Sequence, residues 1–106
     1  VTRTYYRKAN DDFKVAGKFV KQDKWNEAIP IWKKYTLDTD PKVAGKACYN
    51  MALASEVDDN LELALEWARR AWDQHGLKSA RSYISLLEMR IYERGKLDEQ
   101  MQEDQK

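Results

Sequence analysis

The sequence predicts an all-α domain of stacked antiparallel helix hairpins, and three observations predict it. Glycine and proline number only 4 and 2 in 106 residues, too few for the many turns of a sandwich or barrel. Apolar residues recur at three- and four-residue spacing along most of the chain. The chain also matches itself best at a shift of 36 residues, the mark of a two-helix unit that buries its apolar face only by stacking on a neighbour.

The first helix is expected from about Thr4 to Gln22, because Tyr6, Ala9, Phe13, Ala16 and Val20 follow the helical period, with Tyr5 and Phe19 widening the stripe. Gln22-Asp23-Lys24 is a polar break. Trp25, Ala28, Ile29, Trp32 and Tyr35 then mark a second helix, with Pro30 about five residues inside it and a modest distortion expected there. In Leu37-Asp38-Thr39-Asp40-Pro41, Asp40 can cap the third helix and Pro41 can occupy its first position. That helix carries Ala44, Ala47, Cys48, Met51, Ala54 or Ser55, and Val57 on its apolar side, and such small side chains imply close packing. After Asp58-Asp59-Asn60, the Asp59 to Glu62 spacing suits a capping box for the fourth helix. Leu61, Ala64, Leu65, Ala68, Ala71 and Trp72 form its stripe, and Gly76 can end it in a left-handed conformation. A fifth helix starts near Lys78, aligns Ala80, Ile84, Leu87 and Ile91, and is expected to stop at Gly95. Lys96 to Lys106 reads as a weak sixth helix or a frayed tail.

In the 36-residue register, Val15, Met51 and Leu87 coincide, as do Ala16 with Ala52, Phe13 with Tyr49, and Ala28 with Ala64. Trp25 falls on Leu61 and Leu97, while Asp23, Asp59 and Gly95 fall in the breaks. Cys48-Tyr49-Asn50-Met51-Ala52, the turn Asp58-Asp59-Asn60, and Ala64 and Ala71 seven apart resemble the tetratricopeptide repeat (TPR). A weaker first unit keeps Ala16, Phe19 and Ala28, and a degenerate third unit keeps Ile84, Leu87, Ile91 and Gly95. The resemblance implies a single domain of residues 1–106, a right-handed TPR-like stack with units near 4–39, 40–76 and 77–106. Tyr5-Tyr6-Arg7 ahead of Phe13, with Trp25 and Trp32 around Ala28, is also similar to Bacteroidetes envelope proteins ending in such repeats. That likeness implies a periplasmic or cell-envelope setting, with a cytoplasmic one still open. Val1 in place of Met suggests a piece of a longer protein.

Charge and composition exclude several functions. With 19 basic and 18 acidic residues the net charge is +1, well below the electrostatic footprint of a nucleic-acid binder. No apolar stretch is long enough to span a bilayer, and none reads as a secretory signal. One cysteine and one histidine make neither an internal disulfide nor a zinc cluster. Asp11-Asp12 and Asp58-Asp59 are chain neighbours that diverge on a helix and form no acid-base pair. His75 reads as a partner of a helix C-terminus, and Cys48 as a buried small side chain. No phosphate-cradling loop or nucleophile elbow is present. The expectation is a non-enzymatic chain without cofactor or metal. Trp25, Trp32, Trp67 and Trp72 are expected to fill the gaps between hairpins rather than to box an aromatic ligand.

Residues 1–40 carry nine basic and six acidic side chains, and Arg3, Arg7, Lys14, Lys18 and Lys21 follow one face of the first expected helix. That face is either simply solvated or able to dock an acidic partner. The TPR resemblance implies a concave groove lined by the first helix of each hairpin. The matching residues are Asn10, Phe13, Gly17, Val20 and Lys21, then Lys46, Tyr49, Leu53 and Glu56, then Ser82, Ser85 and Met89. Such a groove suits an extended peptide or a partner helix, on a monomer or weak homodimer. The alternative is a structural or oligomerisation role within a larger envelope protein. In the chaperone-tail version of the family, five slots clamp a terminal carboxylate. They hold Phe13, Gly17, Asn50, Ser82 and Leu86 here. Only Asn50 matches, which argues against that activity because the carboxylate would be desolvated without cations.

Overall fold

A computed structural model describes residues 4–104, which are helical throughout apart from their turns and an extended N-terminal segment, with no strand among them. The five helices are α1 (Asp11–Lys21), α2 (Trp25–Lys34), α3 (Pro41–Val57), α4 (Leu61–Asp73) and α5 (Ser79–Asp104). Each packs on the next in chain order.

The first helix starts seven residues later than its apolar spacing predicts. Asn10 caps α1 by accepting the Phe13 N–H at 3.1 Å, and Asp11 and Asp12 lie in the first turn while Lys18 and Lys21 lie in the last. The cap and the acidic first turn favour a start at Asp11, and the two lysines favour the helix's other end. Residues 4–8 form an extended strap instead.

The breaks after α1 and α3 repeat each other 36 residues apart. Asp23 and Asp59 have φ of 61° and 60°. The Asp23 and Lys24 N–H groups donate to Val20 and Phe19 O at 2.9 and 2.8 Å, and those of Asp59 and Asn60 donate to Glu56 and Ser55 O at 3.0 and 2.8 Å. This is the Schellman closure, with a residue tolerant of the left-handed region at its centre. Because Asp59 takes that role, Asn60 is the cap of α4, accepting the Leu63 N–H at 3.2 Å, and the expected Asp59 capping box does not form. Asp40 caps α3 through the Lys42 N–H at 2.9 Å, with Pro41 at the helix start. Gly76, at φ 67°, closes α4.

The central helix is α3, buried continuously from Ala47 to Ser55. On one side Phe13, Ala16, Ala28 and Trp32 meet Ala47, Met51 and Ala54. On the other, Cys48, Tyr49, Ala52 and Leu53 meet the alanines of α4 and Ala80, Tyr83 and Leu87 of α5. Trp25 and Trp67 pack against both clusters, so two of the four tryptophans bridge the hairpins. Val15 and Val57 are 44 % and 56 % exposed and stay outside the core.

No turn occurs at Gly95: α5 runs through it, so the tail continues α5 rather than forming a sixth helix. Trp25 and Leu61 pack into the core and anchor the helices that follow the first two breaks. Their counterpart Leu97 is 58 % exposed, and the mainly polar residues beyond it supply no face for a returning helix to bury. Every described side chain from Tyr92 to Glu103 is exposed.

Candidate functional site

The extended strap lies across the first helix of each hairpin. On α1, the Tyr5 hydroxyl donates to Gly17 O at 3.3 Å, and a Cβ at Gly17 would stand 3.4 Å from that hydroxyl. A Cβ at position 17 would therefore just touch the Tyr5 ring, and only a larger side chain would crowd the crossing. On α3, fully buried Asn50 accepts the Tyr6 N–H through Oδ1 at 2.7 Å and donates from Nδ2 to the Tyr6 carbonyl at 2.8 Å. Lys46 Nζ donates to the Lys8 carbonyl at 3.1 Å and stands 5.6 Å from the centre of the Tyr6 ring. That ring meets Tyr49 edge-on at 5.2 Å, and Tyr49 meets Tyr83 at 5.1 Å. On α5, Ser79 Oγ and the Tyr6 hydroxyl share a hydrogen bond of 2.6 Å.

This geometry is specific to main chain. A carboxamide that satisfies both the N–H and the C=O of one residue imitates one rung of strand pairing, and it holds an extended backbone whatever its side chains. The Tyr6 and Tyr49 rings add area and an edge-to-face contact.

Of the residues expected to line the groove, Gly17, Lys46 and Tyr49 come together beneath the strap. Lys21 lies farther along α1, beside Lys18. Asn10 is the α1 cap. Phe13 and Leu53 are buried in the core, and Val20 is half-buried beside Phe13's cluster. Glu56 accepts from the Tyr83 hydroxyl at 2.6 Å and pairs with Arg90, tying α3 to α5. Ser82, Ser85 and Met89 are exposed on α5. Tyr5, Tyr6 and Ser79 were not expected in the groove. The sequence signal for the first two is Asn10-Asp11-Asp12, a cap with an acidic first turn that separates both tyrosines from α1.

Arg7 lies on the strap rather than on α1, and Arg3 lies outside the described residues. The Cys48 thiol is pushed up to about 11 by burial, against a weaker opposing pull from Arg70, and so stays protonated at neutral pH. The Tyr35 hydroxyl is raised chiefly by its hydrogen bond to Asp12. His75 follows the α4 cap, with its Nε2 buried and without a hydrogen-bond partner. Among the described residues no group of three or more His, Cys, Asp or Glu side chains could hold a metal ion. None of their helices is long and apolar enough to cross a membrane.

Residues 14–89 match the model of a domain of unknown function, DUF6340. The chain belongs to the DUF6340 family. The DUF6340 match runs from the first turn of α1 into the middle of α5, and the strap precedes it. No curated protein and no solved structure matches the chain.

Proposed function

We propose that this chain is a non-enzymatic, TPR-like interaction module whose groove holds extended polypeptide, with its own strap as the resident occupant. The two-point hydrogen bond from Asn50 to the Tyr6 main chain carries the reading. It spends a fully buried carboxamide on backbone recognition, at the position that contacts a bound peptide in the family the sequence resembles. Gly17, Lys46, Tyr49 and Ser79 extend the same contact over α1, α3 and α5.

One observation favours the alternative, a structural support or oligomerisation element: Tyr5 packs against both core clusters, so the strap also serves as core. Removing residues 1–8 and supplying them as a labelled peptide separates the two readings. The interaction reading expects the shortened chain to stay helical by circular dichroism and to bind the peptide in trans, with binding lost in Asn50→Ala. A shortened chain that loses its helicity, or that stays folded and ignores the peptide, would refute a peptide-binding groove.

A further inference from the structure

Five cations gather where the strap crosses α1. Arg7 and Lys8 from the strap and Lys14, Lys18 and Lys21 from α1 line a trough of about 250 Å³ floored by Tyr5 and Gly17. The sole carboxylate within 4 Å of any of them, among the described residues, is the fully exposed Asp11, 3.9 Å from Lys14. In a chain of net charge +1, this is a local concentration of unneutralised charge, and the other charges balance it elsewhere. Gathering like charges at one place costs free energy that an incoming anion recovers.

We infer that this trough docks an acidic, extended segment of a partner protein. The inference rests on reading the module as an interaction unit and names the chemistry of its partner, since the strap already fills the groove. Lys14, Lys18 and Lys21 span about 10 Å at the rise of an α-helix. Side chains on one side of an extended peptide stand about 7 Å apart, close to the roughly 6 Å between lysines four residues apart. Carboxylates at alternate positions would therefore meet Lys14 and Lys18, with Lys21 about 4.5 Å farther along the helix and the strap cations lining the same trough. A single phosphate is too small to engage this row. An anionic membrane is flat where the cations line a trough, and a nucleic acid would find there a single half-buried ring, Tyr5, with the Arg7 guanidinium 5.7 Å over it, in place of a row of aromatic platforms for its bases.

The test uses the whole chain and a fluorescent peptide of about eight residues alternating glutamate and serine, long enough to span the lysine row. The glutamine version, inorganic phosphate, and vesicles of phosphatidylserine in phosphatidylcholine serve as comparisons. The expected result is saturable binding of the glutamate peptide alone, weakened about tenfold or more in a Lys14→Glu, Lys18→Glu double variant and by high salt. Lys78→Glu, an exposed lysine on the α4 to α5 connection, should leave binding unchanged. Equal binding to both variants, or binding of vesicles or phosphate without the peptide, overturns the proposal. So does self-association lost in the double variant, which would assign the trough to the acidic residues 97–104 of a second copy. The double variant leaves Asn50 and Tyr49 untouched, so failure here leaves the strap reading standing. The strap experiment reads peptide capture by the chain lacking residues 1–8, so the two failures are told apart.

Discussion

Replacing Asn50 by alanine tests whether the strap is held by its backbone. The substitution removes two hydrogen bonds, of 2.7 and 2.8 Å, from a side chain with no exposed surface. Each is worth about 1 kcal/mol net, and leaving the partly buried Tyr6 N–H and C=O without partners adds about 1 kcal/mol more. The sum is a loss of about 3 kcal/mol, or roughly 10–15 °C in melting temperature for a domain of this size. Urea unfolding followed by far-UV circular dichroism gives the free energy. Limited proteolysis gives the location, because a released strap is cleaved while α3 and α4 stay protected. A loss below about 0.5 kcal/mol, within the range of ordinary surface substitutions, would refute the clamp. Asn50→Asp is the control. It keeps an acceptor for the Tyr6 N–H but turns a negative oxygen toward the Tyr6 carbonyl, so the ionised form is disfavoured in the folded chain. Its folded pKa must then lie above the unfolded value, and the lost stability should return as the pH falls through the carboxyl range.

Three further outcomes follow from the same geometry. Asp23→Gly should stabilise the chain by up to about 1 kcal/mol in chemical denaturation, because φ is 61° there and glycine adopts that region without steric cost; a less stable variant would show that the Asp23 side chain contributes more than its backbone costs. Ala64→Leu should overpack the α3 to α4 contact, where Ala64 has no exposed surface, and cost about 1–3 kcal/mol in the same measurement; parent-like stability would contradict the close packing of small residues. The Cys48 thiol titrates near 11 when folded and at its ordinary value of 9.0 when unfolded. The unfolded chain therefore binds fewer protons between those values, and the thiol should lower stability across that interval by about 2 kcal/mol, with Cys48→Ser removing that share of the slope and leaving the share of the raised Tyr35 hydroxyl.

What was legible in the sequence was what depends on neighbours along the chain. The Asp23 and Asp59 breaks, the Asp40-Pro41 helix start, the alanine stripe of α4 and the Gly76 stop each rest on local capping or periodicity, and each stands where those rules put it. The strap was not legible, because Tyr6, Ala9, Phe13 and Ala16 mimic a helical stripe although the first two belong to another element. The burial of Tyr6 comes from residues more than forty positions away, Tyr49 and Asn50, and no local period encodes that contact. Gly95 misleads in the opposite way. A glycine ends a helix only when the chain has a surface to return to, and within a continuing helix it is simply a weak position costing about 1 kcal/mol. The groove residues divided for a related reason: Phe13 and Tyr49 hold equivalent places in the repeat, yet Phe13 faces α2 and Tyr35 while Tyr49 faces the strap.

The resident strap also sets the terms for anything else that enters the groove. A segment joined directly to α1 presents itself at an effective concentration of the order of millimolar. A free peptide at micromolar concentration must therefore bind about a thousandfold more tightly than the strap does to displace half of it. Asn50 cannot supply that preference, because it reads only main chain, which every peptide carries. Discrimination has to come from the side-chain contacts, the Tyr6 ring on Tyr49 and the Tyr5 hydroxyl over Gly17, and in both the strap already fits. Among the described residues, no segment of the chain fills the basic trough. On the proposed reading, a partner would exchange more easily at the trough than in the groove, and the strap, by lending Arg7 and Lys8 to the trough, would make the filled groove a precondition of the complete one.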